Sequence, residues 1–112
     1  MSERTDRDFL EDILQAVHRI STYTTDATYE GFLKDTKTQD AVIRNIQVIG
    51  EATKNLSPEI RSKHAYIPWK EMAAVRDRVI HRYFGTNLDI VWQIATGELP
   101  RITGQIEQIL PK

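Results

Sequence analysis

The apolar residues of this chain recur every three or four positions, and this spacing restricts its fold more than any other feature. The first such series is Phe9, Leu10, Ile13, Leu14, Val17 and Ile20. A spacing of three and four places side chains on one face of an α-helix. No stretch alternates between apolar and polar residues in the way that a half-buried strand does. The sequence therefore predicts an all-α fold.

Capping residues and prolines divide the chain into several predicted helices. The first helix begins after Asp6, which we expect to cap its N-terminus, and Ser57-Pro58 starts a short helix in the same way. The remaining segments are a turn at 29–33, a long helix over 41–56, a short helix at 58–63, a helix over 67–85, and a region over 88–110 that bends or breaks near 97–100. The simplest arrangement is an antiparallel bundle of four to five helices.

Length and composition predict a single domain over residues 1–112. A chain of 112 residues with 40% hydrophobic and 28% charged residues can bury one modest core. It has no cysteine, so disulfides and thiolate metal sites are excluded. The N-terminus is charged and no apolar run reaches the ~20 residues of a membrane span. We expect a cytoplasmic protein.

The charges are unevenly distributed along the chain. Residues 1–35 carry eight acids and four Lys/Arg, a balance of -4, whereas residues 61–82 carry six Lys/Arg and two acids, a balance of +4. A basic segment of this kind can attract phosphates, although a solvated helix face is the more common meaning of a short charge run.

Arg76 occupies an unexpected place on the predicted helix over 67–85. At roughly 100° per residue the apolar residues of this helix fall within an arc of about 120°, and Arg76 lies near its middle. Burial of an unpaired guanidinium costs several kcal/mol. Arg76 should therefore lie in a wet cleft, pair with an acid such as Glu51 or Asp40, or meet a second subunit.

His81 follows Arg76 by five residues, so on a straight helix the two side chains point roughly 140° apart. The histidine lies in the last predicted turn before Gly85, where the helix end favours an imidazolium, and Asp77 lies one turn earlier. A histidine that moves protons beside an arginine that stabilises phosphate charge suits phosphoryl chemistry. The simpler alternative is that His81 only caps the helix.

Arg76, four intervening residues, His81, one residue and Tyr83 resemble the Arg-X4-His-X-Tyr motif of HepT-like proteins, which belong to the HEPN superfamily. The flanking segments KTQDAVIRNIQVIGEATKNL, IPWKEMAAVRDRVIHRYFG and LDIVWQIATGELP also resemble that family. The resemblance therefore covers nearly the whole chain. It implies a HEPN-like bundle that functions as a homodimer, with the motif helices of both subunits lining one cleft.

The resemblance also implies a toxin of a type VII HepT/MntA-like toxin–antitoxin system that cleaves RNA without a metal or another cofactor. In this interpretation His81 is the acid/base catalyst for attack of a ribose 2'-hydroxyl on the adjacent phosphate. Arg76 stabilises the transition state, and Asp77 orients the histidine. The need for a 2'-hydroxyl favours RNA over DNA, and single-stranded RNA over duplex.

Tyr83 has a separate implied role in the resemblance. The partner antitoxin of HepT-like toxins is an MntA-like nucleotidyltransferase that transfers AMP to the motif tyrosine. An AMP on Tyr83 would add negative charge and a bulky base beside Arg76 and His81, and so would inhibit the toxin. The alternative is that Tyr83 is a core aromatic residue.

A second class of function stays open, because some HEPN-like proteins are noncatalytic. In that case the chain would be a nucleotide- or phosphate-binding interaction module that partners a nucleotidyltransferase. His18 and His64 lack companions at a metal-ligand spacing. The secondary candidates for stacking on RNA bases are Tyr66, Trp69 and Trp92. The secondary candidates for guiding RNA are Lys63, Lys70, Arg78 and Arg82. The two tryptophans also fit apolar helical stripes and are expected in the core.

Overall fold

Helices make up most of the computed structural model, which describes residues 3–81 and 85–110. For residues 80, 81, 85 and 86 it describes the backbone but not the side chains. In chain order the elements are α1 (Asp6–Thr24), α2 (Tyr29–Leu33), α3 (Thr36–Lys54), α4 (Pro58–Lys63), α5 (Trp69–Ala73), α6 (Val75–Val79), β1 (Ile80–His81), β2 (Gly85–Thr86), α7 (Leu88–Gln93), a π-helical segment (Ile94–Glu98) and α8 (Leu99–Ile109). The predicted all-α helical bundle is confirmed. None of the described helices is long and apolar enough to cross a membrane.

The two 19-residue helices α1 and α3 pack against each other and form the largest helix pair of the bundle. Each buries one apolar stripe, as the periodicity predicts. Together with Ile67 and residues of α2, of α5 to α8 and of the π-helical segment, these stripes form one core. Its largest fully buried side chains are Phe32, Leu10, Ile13, Ile20, Ile46, Ile49, Ile67, Ile94, Ile106, Val42, Val79 and Val91.

Asp6 does not cap α1, contrary to the sequence prediction. The cap is Thr5, which forms a capping box with Asp8. The Asp6 carboxylate instead accepts hydrogen bonds from the backbone N–H of Ser57, at 2.8 Å, and from the Ser57 hydroxyl, at 2.6 Å. It therefore joins the start of α1 to the start of α4. Only the tertiary fold brings these residues together, since they lie 51 positions apart.

The helix α4 agrees with its sequence prediction. The Ser57 hydroxyl accepts a hydrogen bond from the backbone N–H of Ile60, and Pro58 occupies the first turn of the helix. Both interactions are local, so the sequence is sufficient to place this helix.

The predicted disturbance near residues 97–100 takes the form of a π-helical segment. Pro100 has no N–H and so cannot donate to the carbonyl of Thr96, as a regular α-helix requires. The chain widens instead, and the N–H of Leu99 bonds to the carbonyl of Ile94, five residues earlier. The helical backbone thus continues from α7 to α8 without a break.

The single helix predicted over residues 67–85 is wrong. Ala74 interrupts it with a non-α backbone (φ -92°, ψ 2°), and a new short helix, α6, begins at Val75. This helix ends at Val79, after which β1 pairs antiparallel with β2, Ile80 opposite Thr86 and His81 opposite Gly85. The periodicity indicated no strand, and these two-residue strands are too short to show alternation.

We expect Asp6→Ala to lower the free energy of unfolding by about 2 kcal/mol, because it removes two hydrogen bonds that a charged acceptor makes in a partly buried place. Urea unfolding followed by circular dichroism measures the loss. Glu11→Ala is the control, since Glu11 makes an exposed pair with Arg7 that is worth less than about 1 kcal/mol. Equal losses in the two variants would contradict this role of Asp6.

Candidate functional site

Arg76 lies on α6 with its side chain 55% exposed, so the predicted position on a buried arc is wrong. The interruption at Ala74 changes which residues of the segment face the core. Val75 and Val79, one helical turn apart, are buried at 4% and 0% exposure and define the inward face of α6. Arg76 follows Val75 and projects to the solvent.

Arg76 has one acidic neighbour within 4.0 Å in the part of the chain that the structure describes. Its Nη1 atom lies 3.9 Å from the Oδ1 atom of Asp77, a distance too long for a hydrogen bond. The expected alternative of a buried pair with Glu51 or Asp40 is therefore wrong. The guanidinium is consequently available to an anion from outside, as the wet-cleft and second-subunit alternatives require.

The predicted helical relation between Asp77 and His81 is also wrong. Asp77 is 76% exposed on α6, whereas His81 follows the end of that helix and lies in β1. The spacing rules of a helix therefore do not place the two residues on one face. The side chain of His81 lies outside the described atoms, and Tyr83 lies outside the described residues, as does Arg82.

A surface groove of about 550 Å³ lies beside α6, the helix that carries Arg76 and Asp77. The described residues that line it come from the end of α3, from α4, and from α5 and α6; they are Lys54, Pro58, Arg61, Ser62, Trp69, Lys70, Ala73, Ala74 and Asp77. Three of these side chains are cationic and one is acidic. Arg76 is not among the described lining residues, but its Nη1 atom lies 3.9 Å from the Oδ1 atom of Asp77, which lines the groove.

Arg78, one of the expected RNA-guiding residues, is paired with Glu98 instead. Its Nη1 and Nη2 atoms donate to the two carboxylate oxygens of Glu98, each at 2.9 Å. This bidentate pair joins α6 to the π-helical segment. The hydrogen bonds from Arg78 hold the pKa of the Glu98 carboxyl below its usual range, and those to Glu98 raise the pKa of Arg78.

The tryptophan predictions agree with the structure in different degrees. Trp69 is 6% exposed and donates its indole N–H to the carbonyl of His64, so it is a core residue as expected. Trp92 is half-buried against the core, and its ring lies 5.2 Å from that of Phe32 between centroids. Tyr66 is 58% exposed and is the stacking candidate that stays accessible.

The other two histidines, His18 and His64, are not among the described residues that line the groove. His18 is exposed on α1 and borders a second surface cavity, between α1 and α8. The ring of His64 contacts that of Tyr66 edge to face. In residues 3–81 and 85–110 no group of three His, Cys, Asp or Glu side chains could hold a metal ion.

The fold and the site define an all-α domain with a solvent-facing arginine beside a cationic groove. A model of the "Ribonuclease HepT-like" family matches residues 13–109. The chain belongs to this family.

Three similar proteins extend the comparison along almost the whole chain. A "Putative RNase" of Methanocaldococcus jannaschii is 46% identical over 110 residues, which cover 98% of this chain and 91% of that protein. A "Probable ribonuclease HepT" of Thermococcus cleftensis is 41% identical and covers 96% of this chain and 97% of its own. A "Putative RNase" of Caldanaerobacter subterraneus is 41% identical and covers 97% of both. No solved structure matches the chain.

We expect Glu98→Gln to lower the free energy of unfolding at pH 7 by about 1 kcal/mol. A bidentate pair of good geometry lies at the upper end of the stabilisation that exposed ion pairs provide. The native state lowers the pKa of Glu98, so the pair stabilises the fold above the ordinary glutamate pKa. This stabilisation disappears as the pH falls through the lowered pKa. Urea unfolding at pH 7 and in acid should show the difference from wild type shrinking in acid.

The control for this measurement is Glu51→Gln, which removes the same charge from an exposed position on α3. Within the described ranges Glu51 has no cation within 4.0 Å. A difference for Glu98→Gln that stays constant between the two pH values would show that the ion pair does not stabilise the native state.

Proposed function

We propose that this protein is a metal-independent endoribonuclease and the toxin of a type VII, HepT/MntA-like toxin–antitoxin system that acts on RNA in the cytoplasm. Membership of the ribonuclease HepT-like family supports the class of activity. The observation that carries the proposal is the exposed guanidinium of Arg76, which faces solvent and forms no close ion pair among the described residues. A guanidinium in this position can receive a phosphate.

The proposed reaction is an internal transfer at one phosphate of the RNA. The ribose 2'-oxygen forms a bond to phosphorus while the bond from phosphorus to the 5'-oxygen breaks. One proton leaves the 2'-hydroxyl and one reaches the departing 5'-oxygen, and His81 carries this acid/base work. Arg76 stabilises the added charge on the phosphate oxygens. The role of Asp77 in orienting the histidine is carried over from the family motif alone. The products end in a 2',3'-cyclic phosphate and a 5'-hydroxyl.

The proposed active unit is a homodimer in which Arg76 and His81 of both subunits line one cleft. Because Arg76 is exposed on one subunit, a second subunit can cover it without disturbing the core. A shared cleft would also exclude bulk water from the phosphate and so strengthen the arginine's effect. DNA lacks the 2'-hydroxyl and should not be cleaved.

We expect purified protein, freed of its antitoxin, to cleave single-stranded RNA in the presence of EDTA and to leave 2',3'-cyclic phosphate ends. His81→Ala should lower the rate by about 10²-fold or more, the usual contribution of general acid–base catalysis. Arg76→Ala should lower the rate by a similar factor through loss of charge stabilisation. Gel analysis of end-labelled RNA measures both effects.

His18→Ala and Arg19→Ala are matched controls, because both residues are exposed on α1 and should keep the wild-type rate. Light scattering should give the active species twice the 13.0 kDa mass of the chain. Cleavage that EDTA abolishes, or that survives His81→Ala, would contradict the mechanism. RNA binding without any cyclic phosphate ends would favour the noncatalytic binding module instead.

We further propose that a cognate MntA-like nucleotidyltransferase inhibits the toxin by transferring AMP to Tyr83. The support is the motif itself, in which Tyr83 follows His81 by two residues. An added phosphodiester would occupy the guanidinium of Arg76 and repel the RNA backbone. The unmodified form is then the active form.

After coexpression with the nucleotidyltransferase, we expect the intact mass of the protein to increase by whole AMP units and its ribonuclease rate to fall. Tyr83→Phe removes the acceptor oxygen, so the mass should stay unmodified and the activity should remain. Tyr66→Phe is the control, since Tyr66 is an exposed tyrosine elsewhere on the surface. An AMP addition that persists in Tyr83→Phe would reject this site.

A further inference from the structure

The groove beside α6 gathers cations from three separate helices. Lys54 is the last residue of α3, Arg61 lies in α4, and Lys70 lies in α5. Asp77 is the one acid among the described lining residues, so these side chains carry a balance of +2 (three positive, one negative). The sequence separates these cations by up to 16 positions, and the fold places them around one concave surface.

These three cations differ from Arg78 in their partners. Arg78 is held by both oxygens of Glu98. In contrast, over residues 3–81 and 85–110, no carboxylate lies within 4.0 Å of the charged groups of Lys54, Arg61 or Lys70. Cations without a protein partner attract phosphates, because binding releases the counterions of the nucleic acid.

The groove also leads to the motif. Its lining residues include Ala73 and Ala74, whose small side chains lie at the junction of α5 and α6. Asp77 also lines the groove, and its Oδ1 atom lies 3.9 Å from the Nη1 atom of Arg76. A phosphate backbone bound in the groove would therefore lie near the guanidinium proposed to act on the scissile phosphate.

We propose that Lys54, Arg61 and Lys70 bind backbone phosphates of single-stranded RNA on one side of the scissile phosphate. This inference rests on the proposed ribonuclease function and adds the path of the substrate. The only aromatic residue among the described lining residues is Trp69, which is buried and hydrogen-bonded to His64. The groove thus provides charge and no free surface for base stacking, so it contributes affinity without base preference.

The test uses an RNA oligonucleotide that is 2'-O-methylated throughout, which has the backbone charge but no 2'-hydroxyl and cannot be cleaved by the proposed reaction. Its dissociation constant is measured by fluorescence anisotropy over a range of salt concentrations. For the triple variant Lys54→Gln, Arg61→Gln and Lys70→Gln, three lost phosphate contacts should flatten the slope of log K against log salt by about 2. At 0.1 M salt this corresponds to binding weaker by roughly 100-fold.

The matched control is the triple variant Arg19→Gln, Lys34→Gln and Lys37→Gln. It removes the same charge from exposed positions that do not line the groove, and should leave the salt slope nearly unchanged. Circular dichroism verifies that both variants are folded. An unchanged salt slope in the groove variant, or an equal change in both variants, overturns the proposal. An unchanged slope is the result expected if the groove binds an acidic protein partner instead of RNA.

Cleavage of unmodified RNA is measured separately, so the two proposals can fail independently. Wild-type protein that binds through the groove but yields no cyclic phosphate ends would reject the nuclease and keep the groove. Cleavage that needs His81 while binding ignores Lys54, Arg61 and Lys70 would reject the groove alone.

Discussion

The packing of Val75 and Val79 into the core is the constraint on which the rest of the site depends. These two residues fix the rotation of α6, which packs against α3. Because the valines face inward, Arg76 must face outward. The core therefore determines that the guanidinium of Arg76 is exposed to the solvent.

The cationic side chains near the motif form two groups, one paired with an acid of the protein and one exposed to solvent. On one side Arg78 is committed to Glu98, and this pair fixes α6 to the π-helical segment. Elsewhere on the motif helix Arg76 is left to solvent, and the groove bordered by Asp77 adds further cations. Such a division suits a phosphate site, since a paired charge can fix the position of a helix while an unpaired charge can bind a phosphate. This arrangement of charges is consistent with membership of the ribonuclease HepT-like family.

Local rules made some elements predictable from the sequence. The helix α4 follows from Ser57 and Pro58, and the disturbance before α8 follows from the missing N–H of Pro100. Other elements depended on distant contacts. The carboxylate of Asp6 could have capped α1 but instead binds Ser57. The long helix over 67–85 matched the apolar periodicity, which gives no sign of the interruption at Ala74.

By itself the sequence determined that the chain is helical, where α4 begins and ends, that the helical region before α8 is disturbed, and which family its motif resembles. These properties depend on residue spacing and on contacts within one helical turn. Only the tertiary structure decided that Arg76 faces the solvent, that Arg78 is paired, and that Lys54, Arg61 and Lys70 share a groove. The physical reason is that exposure and pairing depend on groups from other helices, whose positions no local pattern specifies.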